Sequence, residues 1–107
     1  MKRFGQVITL RDDAVDEYER LHVDPWPDVL DALRLANIRN YSIYRHGTLL
    51  FQTFEYRGDD FESDMETLAG SPVIQRWWDV CKPLQVPLPD RGDDEWWHDM
   101  AEIFRMD

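Results

Sequence analysis

Alternating apolar and polar residues near the N-terminus predict a first β-strand. Phe4, Ile8 and Leu10 stand at even positions, and the run ends at the polar residues 11–13. A period of two places such residues on one face of a sheet. The polar run then marks the turn into the next element.

Three further segments have strand character. Residues 38–44 and 48–56 are rich in β-branched and aromatic side chains, and the short segment 45–47 between them includes a glycine. This pattern is typical of a β-hairpin. Alternation returns over residues 100–106, which we expect to form the last strand. An extended loop should precede it, because this part of the chain contains Pro83, Pro87 and Pro89.

Helical spacing occurs between the strands, and proline breaks each helix in two. Tyr18 and His22 are four residues apart and share one helix face. That helix should end before Pro25, because the residue preceding a proline disfavours the α region, and a second helix should begin with Pro25 at its first position. The second half repeats this design, with a helix after Asp60 and a restart at Pro72.

The resulting order is β-α-β-β-α-β, which is the ferredoxin-like split βαβ arrangement. We therefore predict one α+β domain over residues 1–107, with a four-stranded antiparallel sheet and the broken helices on one face. Apolar strand residues are too numerous for a sheet with its other face in water. They are Phe4, Ile8, Tyr41, Ile43, Phe51, Phe54, Tyr56, Ile103 and Phe104. We predict a homodimer through the open sheet face, as in dimeric α/β-barrel assemblies, while lining a site is a competing explanation for some of these residues.

Composition removes several classes of partner. The chain has 22 acidic and 12 basic residues and a formal charge of -10. Because nucleic acids and anionic membranes attract Lys and Arg, we expect binding to neither. Cys81 is the only cysteine, so no disulfide can form within the chain, and we expect a cytoplasmic protein without a targeting signal.

The candidate chemistry centres on His22. Its side chain shares an apolar helical context with Tyr18 and Trp26, whereas His46 in a glycine turn and His98 among acids have the context of surface residues. A pKa near ~6.5 suits histidine to exchange protons at neutral pH. The residues alone leave a packed histidine and a catalytic one equally open.

Other aromatic residues extend this candidate site. Tyr41 on the second strand should face away from Asn40 and its alternate neighbours, and it is either a core aromatic or a site residue. Trp77 and Trp78 diverge by about 100° on a helix, so one should be buried and the other should face a cleft or partner. Indole faces bind the apolar faces of sugars, and we therefore interpret the set as a sugar site. Neither a nucleotide-binding glycine motif nor metal-ligand spacing occurs, and we expect no cofactor and no metal.

Four motifs resemble the L-rhamnose mutarotase family in spacing and in nearly whole-chain length. They are Tyr18-x-x-x-His22-x-x-x-Trp26-Pro27, Asn40-Tyr41-Ser42-Ile43-Tyr44, Gln75-Arg76-Trp77-Trp78 and Glu102-Ile103-Phe104. The resemblance implies a ferredoxin-like dimer that interconverts the α and β anomers of a 6-deoxy-L-sugar without cofactor or metal. It implies that His22 is the general acid that protonates the ring oxygen. It also implies that four residues contact the sugar, namely Tyr18, Tyr41, Trp77 and Trp78.

The C-terminal third departs from the rhamnose enzymes. Pro87-Leu88-Pro89 and Glu95-Trp96-Trp97 resemble a branch associated with L-fucose, so both sugars remain open, although the best-matched motifs are those of the rhamnose enzymes. Two alternatives share the predicted fold. One is a cofactor-free monooxygenase or haem-handling protein, and the other is a sugar-binding module without catalysis.

Overall fold

A computed structural model describes residues 1–107. The central strand, β1, spans Lys2–Leu10 and pairs antiparallel with β3, Leu49–Tyr56. The hairpin partner of β3 is β2, Ile38–His46, so the predicted hairpin is confirmed. The sheet order is β2-β3-β1-β4, which is the order of the predicted ferredoxin-like fold.

The fourth strand position is divided between two short pieces. β4, Gln85–Val86, pairs with the end of β1, and β5, His98–Asp99, pairs with its middle. Residues 87–97 leave the sheet between them, in agreement with the proline-rich loop.

The prediction of a last strand over residues 100–106 is wrong. Only the backbone N–H of Met100 still pairs with β1, donating to the carbonyl of Gly5 at 2.8 Å. Beyond it the chain has no regular structure, and Ile103 is 96% exposed. Alternation reports which faces a strand would present and not whether its backbone pairs. The edge of β1 at residues 2–4 is free, because β4 and β5 pair only with residues 6–10, but the tail diverges from it and leaves a groove lined by Phe4, Phe54 and Phe104.

Both helical regions are broken at proline, as predicted. The four helices are α1 (Val15–Val23), α2 (Pro27–Leu35), α3 (Phe61–Ala69) and α4 (Pro72–Cys81), followed by a 3₁₀ turn at Lys82–Leu84. The restart after α1 lies two residues later than expected, because Trp26 keeps an extended backbone and Pro27, not Pro25, takes the first helical position. Asp60 caps α3 by accepting from the N–H of Ser63 at 3.1 Å.

The helices cover one face of the sheet, and most of the apolar strand residues point to that face. Leu50, Phe54 and Tyr56 on β3 are buried there, and their β1 partners Phe4 and Ile8 share the same side. Of the strand residues that suggested two apolar faces, Phe51 is the one on the open side, where it pairs with Tyr44. The open face is therefore less apolar than the sequence suggested, and it carries several polar side chains.

An irregularity in β2 sets the direction of a predicted site residue. The register with β3 shifts between Arg39 and Ser42, and Asn40 has a φ of 50°. The side chain of Asn40 bonds Glu55 on the open face, whereas the Tyr41 hydroxyl bonds Gln52 on the helix-covered face. Tyr41 thus faces away from Asn40, as predicted, and lies under the helices.

Candidate functional site

The last turn of α1 holds His22 in one orientation. Its Nδ1 lies 2.7 Å from the backbone carbonyl oxygen of Tyr18, one turn earlier. A carbonyl can only accept, so the neutral imidazole must carry its proton on Nδ1. Nε2 is then left with a free lone pair, which can accept a proton from a ligand.

Aromatic rings enclose the imidazole. Tyr18 stacks on it with ring centroids 4.3 Å apart, and Trp77 meets it edge-on at 5.3 Å. Burial lowers the pKa of His22 below its ordinary value, and the hydrogen bond to the Tyr18 carbonyl opposes this shift only in part. His22 is accordingly neutral at physiological pH.

A cleft beside His22 brings together the residues predicted to form the site. It consists of two adjoining cavities of about 310 and 230 Å³. Both are lined by His22, Tyr41, Ile43, Trp77 and Trp78, and Tyr18 lines the smaller one. The larger cavity alone falls at the lower end of the usual volume of small-molecule sites, roughly 300–1,000 Å³.

Two tyrosine hydroxyls lie at the floor of the cleft. Although 39% of Tyr41 is exposed, its hydroxyl reaches inward and donates to Gln52 Oε1, and its ring packs against Phe54 at 5.6 Å. The hydroxyl of Tyr18 accepts from Gln85 Nε2 at 3.1 Å. Burial raises the pKa of both tyrosines, so both remain neutral phenols.

The two tryptophans of α4 play different parts. Trp77 belongs to the main hydrophobic core and still reaches the cleft, whereas Trp78 is half-buried and carries Lys82 Nζ above its ring at 4.9 Å. Their divergence follows the prediction from helix geometry. Trp26 contacts Trp77 edge-on at 5.1 Å and is not among the residues that line the two cavities. Its position is that of a support for the site.

Comparison with known proteins identifies the family. The family model for L-rhamnose mutarotase matches residues 3–106. An L-rhamnose mutarotase of Lactiplantibacillus plantarum is 33% identical over 107 residues, covering 100% of both chains, and one of Bacillus subtilis is 30% identical over 110 residues, also with full coverage. The chain belongs to the L-rhamnose mutarotase family. The predicted family and enzyme class, an isomerase, are confirmed.

Solved structures share the fold of this family member. An L-rhamnose mutarotase from Formosa agariphila superposes with a TM-score of 0.78 at 22% identity over 100% of both chains. Tetracenomycin F2 cyclase from Streptomyces glaucescens, a type-II polyketide cyclase, gives a TM-score of 0.69 at 14% identity, covering 99% of this chain and 96% of the cyclase. At these identities the likeness concerns the fold alone.

Several residues at the cleft were missed from the sequence. Gln85 and Gln52 are buried and hydrogen-bonded to the two tyrosines, and Trp96 and Lys82 line the smaller cavity. Gln52 did carry a signal, because it is the polar residue between Leu50 and Phe54 at a core-facing strand position. Polar residues at such positions are normally hydrogen-bonded and often belong to sites.

The other histidines lie away from these two cavities. His46, at the end of β2, is exposed as expected. His98 is half-buried rather than at the surface, because its Nδ1 bonds Glu95 at 2.9 Å, and this bond raises the pKa of His98. No cluster of three or more His, Cys, Asp or Glu side chains is placed to hold a metal ion. No helix is long and apolar enough to cross a membrane.

Proposed function

We propose that this protein interconverts the α and β anomers of L-rhamnose, with His22 as the residue that transfers protons. The observation that carries the proposal is a neutral imidazole whose Nδ1 is occupied by the Tyr18 carbonyl, in a cleft lined by Tyr41, Trp77 and Trp78. Membership of the L-rhamnose mutarotase family supports the choice of sugar. The cleft suits a pyranose, because indole faces accept its apolar side and hydroxyl groups its polar side.

Ring opening moves one proton from the anomeric hydroxyl to the ring oxygen. Nε2 of His22 accepts the hydroxyl proton while the bond between C1 and the ring oxygen breaks and C1 becomes an aldehyde. The imidazolium then returns this proton to the ring oxygen, which is the general-acid role predicted for His22. Rotation about the C1–C2 bond and the reverse steps give the other anomer, and no net proton is consumed. Positioned proton transfer of this kind contributes roughly 10²–10⁴-fold.

L-Fucose is the second candidate substrate. The loop of residues 87–97 resembles the fucose-associated branch, and its Trp96 and Trp97 line the smaller cavity. The two sugars differ in the configuration of hydroxyl groups, so hydrogen bonds in the cleft must discriminate between them.

Saturation transfer between the two anomeric protons, measured by NMR, tests the proposal. Wild-type protein should accelerate exchange between the anomers of L-rhamnose, and His22→Ala should reduce the catalysed rate by a factor of about 10²–10⁴. His46→Ala is the matched control and should keep the wild-type rate, because His46 is an exposed residue of β2. Exchange at the solvent rate with wild-type protein and both sugars would refute the mutarotase activity and favour a binding module. Full activity of His22→Ala would refute only the role of His22.

We also propose that the protein works as a homodimer in the cytoplasm. Tyr44 is 64% exposed on the open sheet face and pairs with Phe51 on β3. In the proposed dimer, these two side chains pack against the same two side chains of a second copy. The tail adds apolar surface nearby, since Phe104 is 80% exposed and lines a groove with Gly5 of β1. The free, buried thiol of Cys81 is consistent with a reducing compartment.

A further inference from the structure

The Tyr18 hydroxyl ends a short chain of side-chain hydrogen bonds. Trp96 Nε1 donates to Gln85 Oε1 at 2.7 Å, and Gln85 Nε2 donates to the Tyr18 oxygen at 3.1 Å. An indole N–H can only donate, so Gln85 must turn its carbonyl to Trp96 and its amide nitrogen to Tyr18. The Tyr18 oxygen therefore accepts from the protein, and its own proton is left for the cleft.

The Tyr41 hydroxyl ends a second chain with the opposite direction. Gln6 Nε2 donates to Asp99 Oδ1 at 2.6 Å, and Gln52 Nε2 donates to Gln6 Oε1 at 2.5 Å. A carboxylate can only accept, so Asp99 fixes the orientation of Gln6, and Gln6 fixes that of Gln52. The carbonyl of Gln52 then faces Tyr41 and accepts the hydrogen bond of its hydroxyl, so Tyr41 offers only lone pairs to the cleft.

We propose that Trp96 and Asp99 are positioning residues that give the two hydroxyls of the cleft opposite roles. Tyr18 donates a hydrogen bond to an oxygen of the ligand, and Tyr41 accepts one from a hydroxyl of the ligand. A sugar presents both partners, because its ring oxygen can only accept and its hydroxyl groups can donate. The assignment of a sugar rests on the proposed function, whereas the polarity of the two hydroxyls does not.

Burial makes this polarity stable. Gln52 is 4% and Gln85 8% exposed, and no buried side-chain polar atom in the structure lacks a partner. Turning the Gln52 amide would place its NH₂ group against the Tyr41 hydroxyl and its carbonyl against the carbonyl of Gln6. The bond between Gln52 and Tyr41 would only reverse its direction, but the two facing carbonyls would have no donor between them, which is costly away from water.

Asp99→Lys tests the second chain by reversing its direction. A lysine can only donate, so Gln6 should turn its carbonyl to residue 99, and the NH₂ group of Gln52 should turn to Tyr41. The matched control is Asp94→Lys, which makes the same charge change at an exposed loop residue. Nuclear Overhauser contacts between the Gln52 NH₂ protons and the Tyr41 ring should be weak in the wild type, strengthen in Asp99→Lys and stay weak in Asp94→Lys. Contacts of equal strength in the wild type and Asp99→Lys would overturn the assigned polarity.

Kinetics separate positioning from a merely structural role. Asp99→Lys should raise the KM for L-rhamnose about tenfold, as expected for one hydrogen bond of about 1.4 kcal/mol, and should have no further effect on a Tyr41→Phe background. An equal effect on both backgrounds would show that Asp99 does not act through Tyr41. If Asp99→Lys does not fold, Gln52→Leu replaces it. This variant removes the acceptor of the Tyr41 hydroxyl, so the hydroxyl can donate to the cleft.

Trp96→Phe provides the corresponding test of the first chain. The variant keeps an aromatic ring and removes the indole N–H, so the orientation of Gln85 is no longer fixed. Its KM should rise on the wild-type background and stay unchanged on a Tyr18→Phe background, and equal effects on both would refute the role of Trp96. If the wild type exchanges neither sugar while the nuclear Overhauser contacts follow the assigned pattern, the proposed function fails and the polarity stands.

Discussion

Tyr18 holds His22 through two separate parts of its own structure. Its backbone carbonyl lies 2.7 Å from Nδ1 of His22, and its ring stacks on the imidazole at 4.3 Å. The carbonyl fixes the tautomer and the ring fixes the plane, so the reactive nitrogen is oriented before a ligand arrives. Preorganisation of this kind lowers the cost of reaching the reactive geometry.

The lowered pKa of His22 predicts an acid limb in the pH profile. Neutral His22 is the reactive form, so the catalysed rate should show no inflection from about pH 8 down to the ordinary histidine pKa near ~6.5, and it should fall only as the pH drops through the lowered pKa of the buried group. The measurement is saturation transfer at L-rhamnose well below KM, where the profile reports the pKa of the free enzyme, with the solvent rate subtracted at each pH. An inflection above pH ~6.5 would contradict the cause assigned here, which is burial.

The two tryptophans of α4 should separate stability from binding. Trp77→Ala removes a core side chain and should lower the free energy of unfolding by about 3–5 kcal/mol. Trp78→Ala removes a half-buried ring and should cost about 1–2 kcal/mol, while raising the KM about tenfold through the loss of about 1.4 kcal/mol of contact with the sugar. Urea denaturation and saturation transfer on the same samples check both values. A larger stability loss for Trp78→Ala would reverse the assignment of these two positions.

Glu95 should make the loop before β5 sensitive to acid. Its carboxylate accepts from the backbone N–H groups of Asp99 and Gly92, and from His98, and these bonds lower its pKa to about 2. Because the folded pKa is the lower one, the stabilisation is complete above pH ~4.5, where the unfolded chain is also ionised, and is lost as the pH falls from there towards about 2.

Comparison with a neutral variant measures this contribution of Glu95. Glu95→Gln should be less stable than the wild type in urea at pH 7, and the difference should shrink between pH 4.5 and pH 3. Asp94→Asn, at the neighbouring exposed position, should match the wild type throughout. A difference between wild type and Glu95→Gln that did not change with pH would mean that ionisation of Glu95 does not hold the loop.

The proposed homodimer predicts a mass near twice 12.8 kDa in light scattering at micromolar concentration. Tyr44→Glu introduces a charge on the open face beside Phe51 and should shift the mass towards the monomer, because covering this face with a second copy would then bury an unpaired carboxylate. Leu35→Glu is the control, since Leu35 is equally apolar and 83% exposed, and it lies at the end of α2 on the helix-covered side. A monomeric wild type would exclude this assembly.

Sequence patterns were sufficient for the parts of the fold that depend on local spacing. The hairpin, the proline breaks and the placement of Tyr41 on the face opposite Asn40 follow from periodicity and from the chemistry of proline. The last strand was wrong because a strand needs a partner that its backbone follows, and the tail diverges from the free edge of β1 at residues 2–4, which no local pattern reports. The same limit applied to Gln52 and Gln85. Their hydrogen-bond partners lie on other elements, so their role could be assigned only from the packed structure.

The divided fourth strand has a consequence for how this protein can diversify. Residues 87–97 leave and rejoin the same edge of β1, and two short ladders secure their ends independently. Insertions and deletions there should leave the rest of the sheet intact, while Trp96 and Trp97 at the end of the segment line the smaller cavity of the cleft. Changes in this segment, by evolution or by design, can therefore alter the sugar specificity while the rest of the fold is kept.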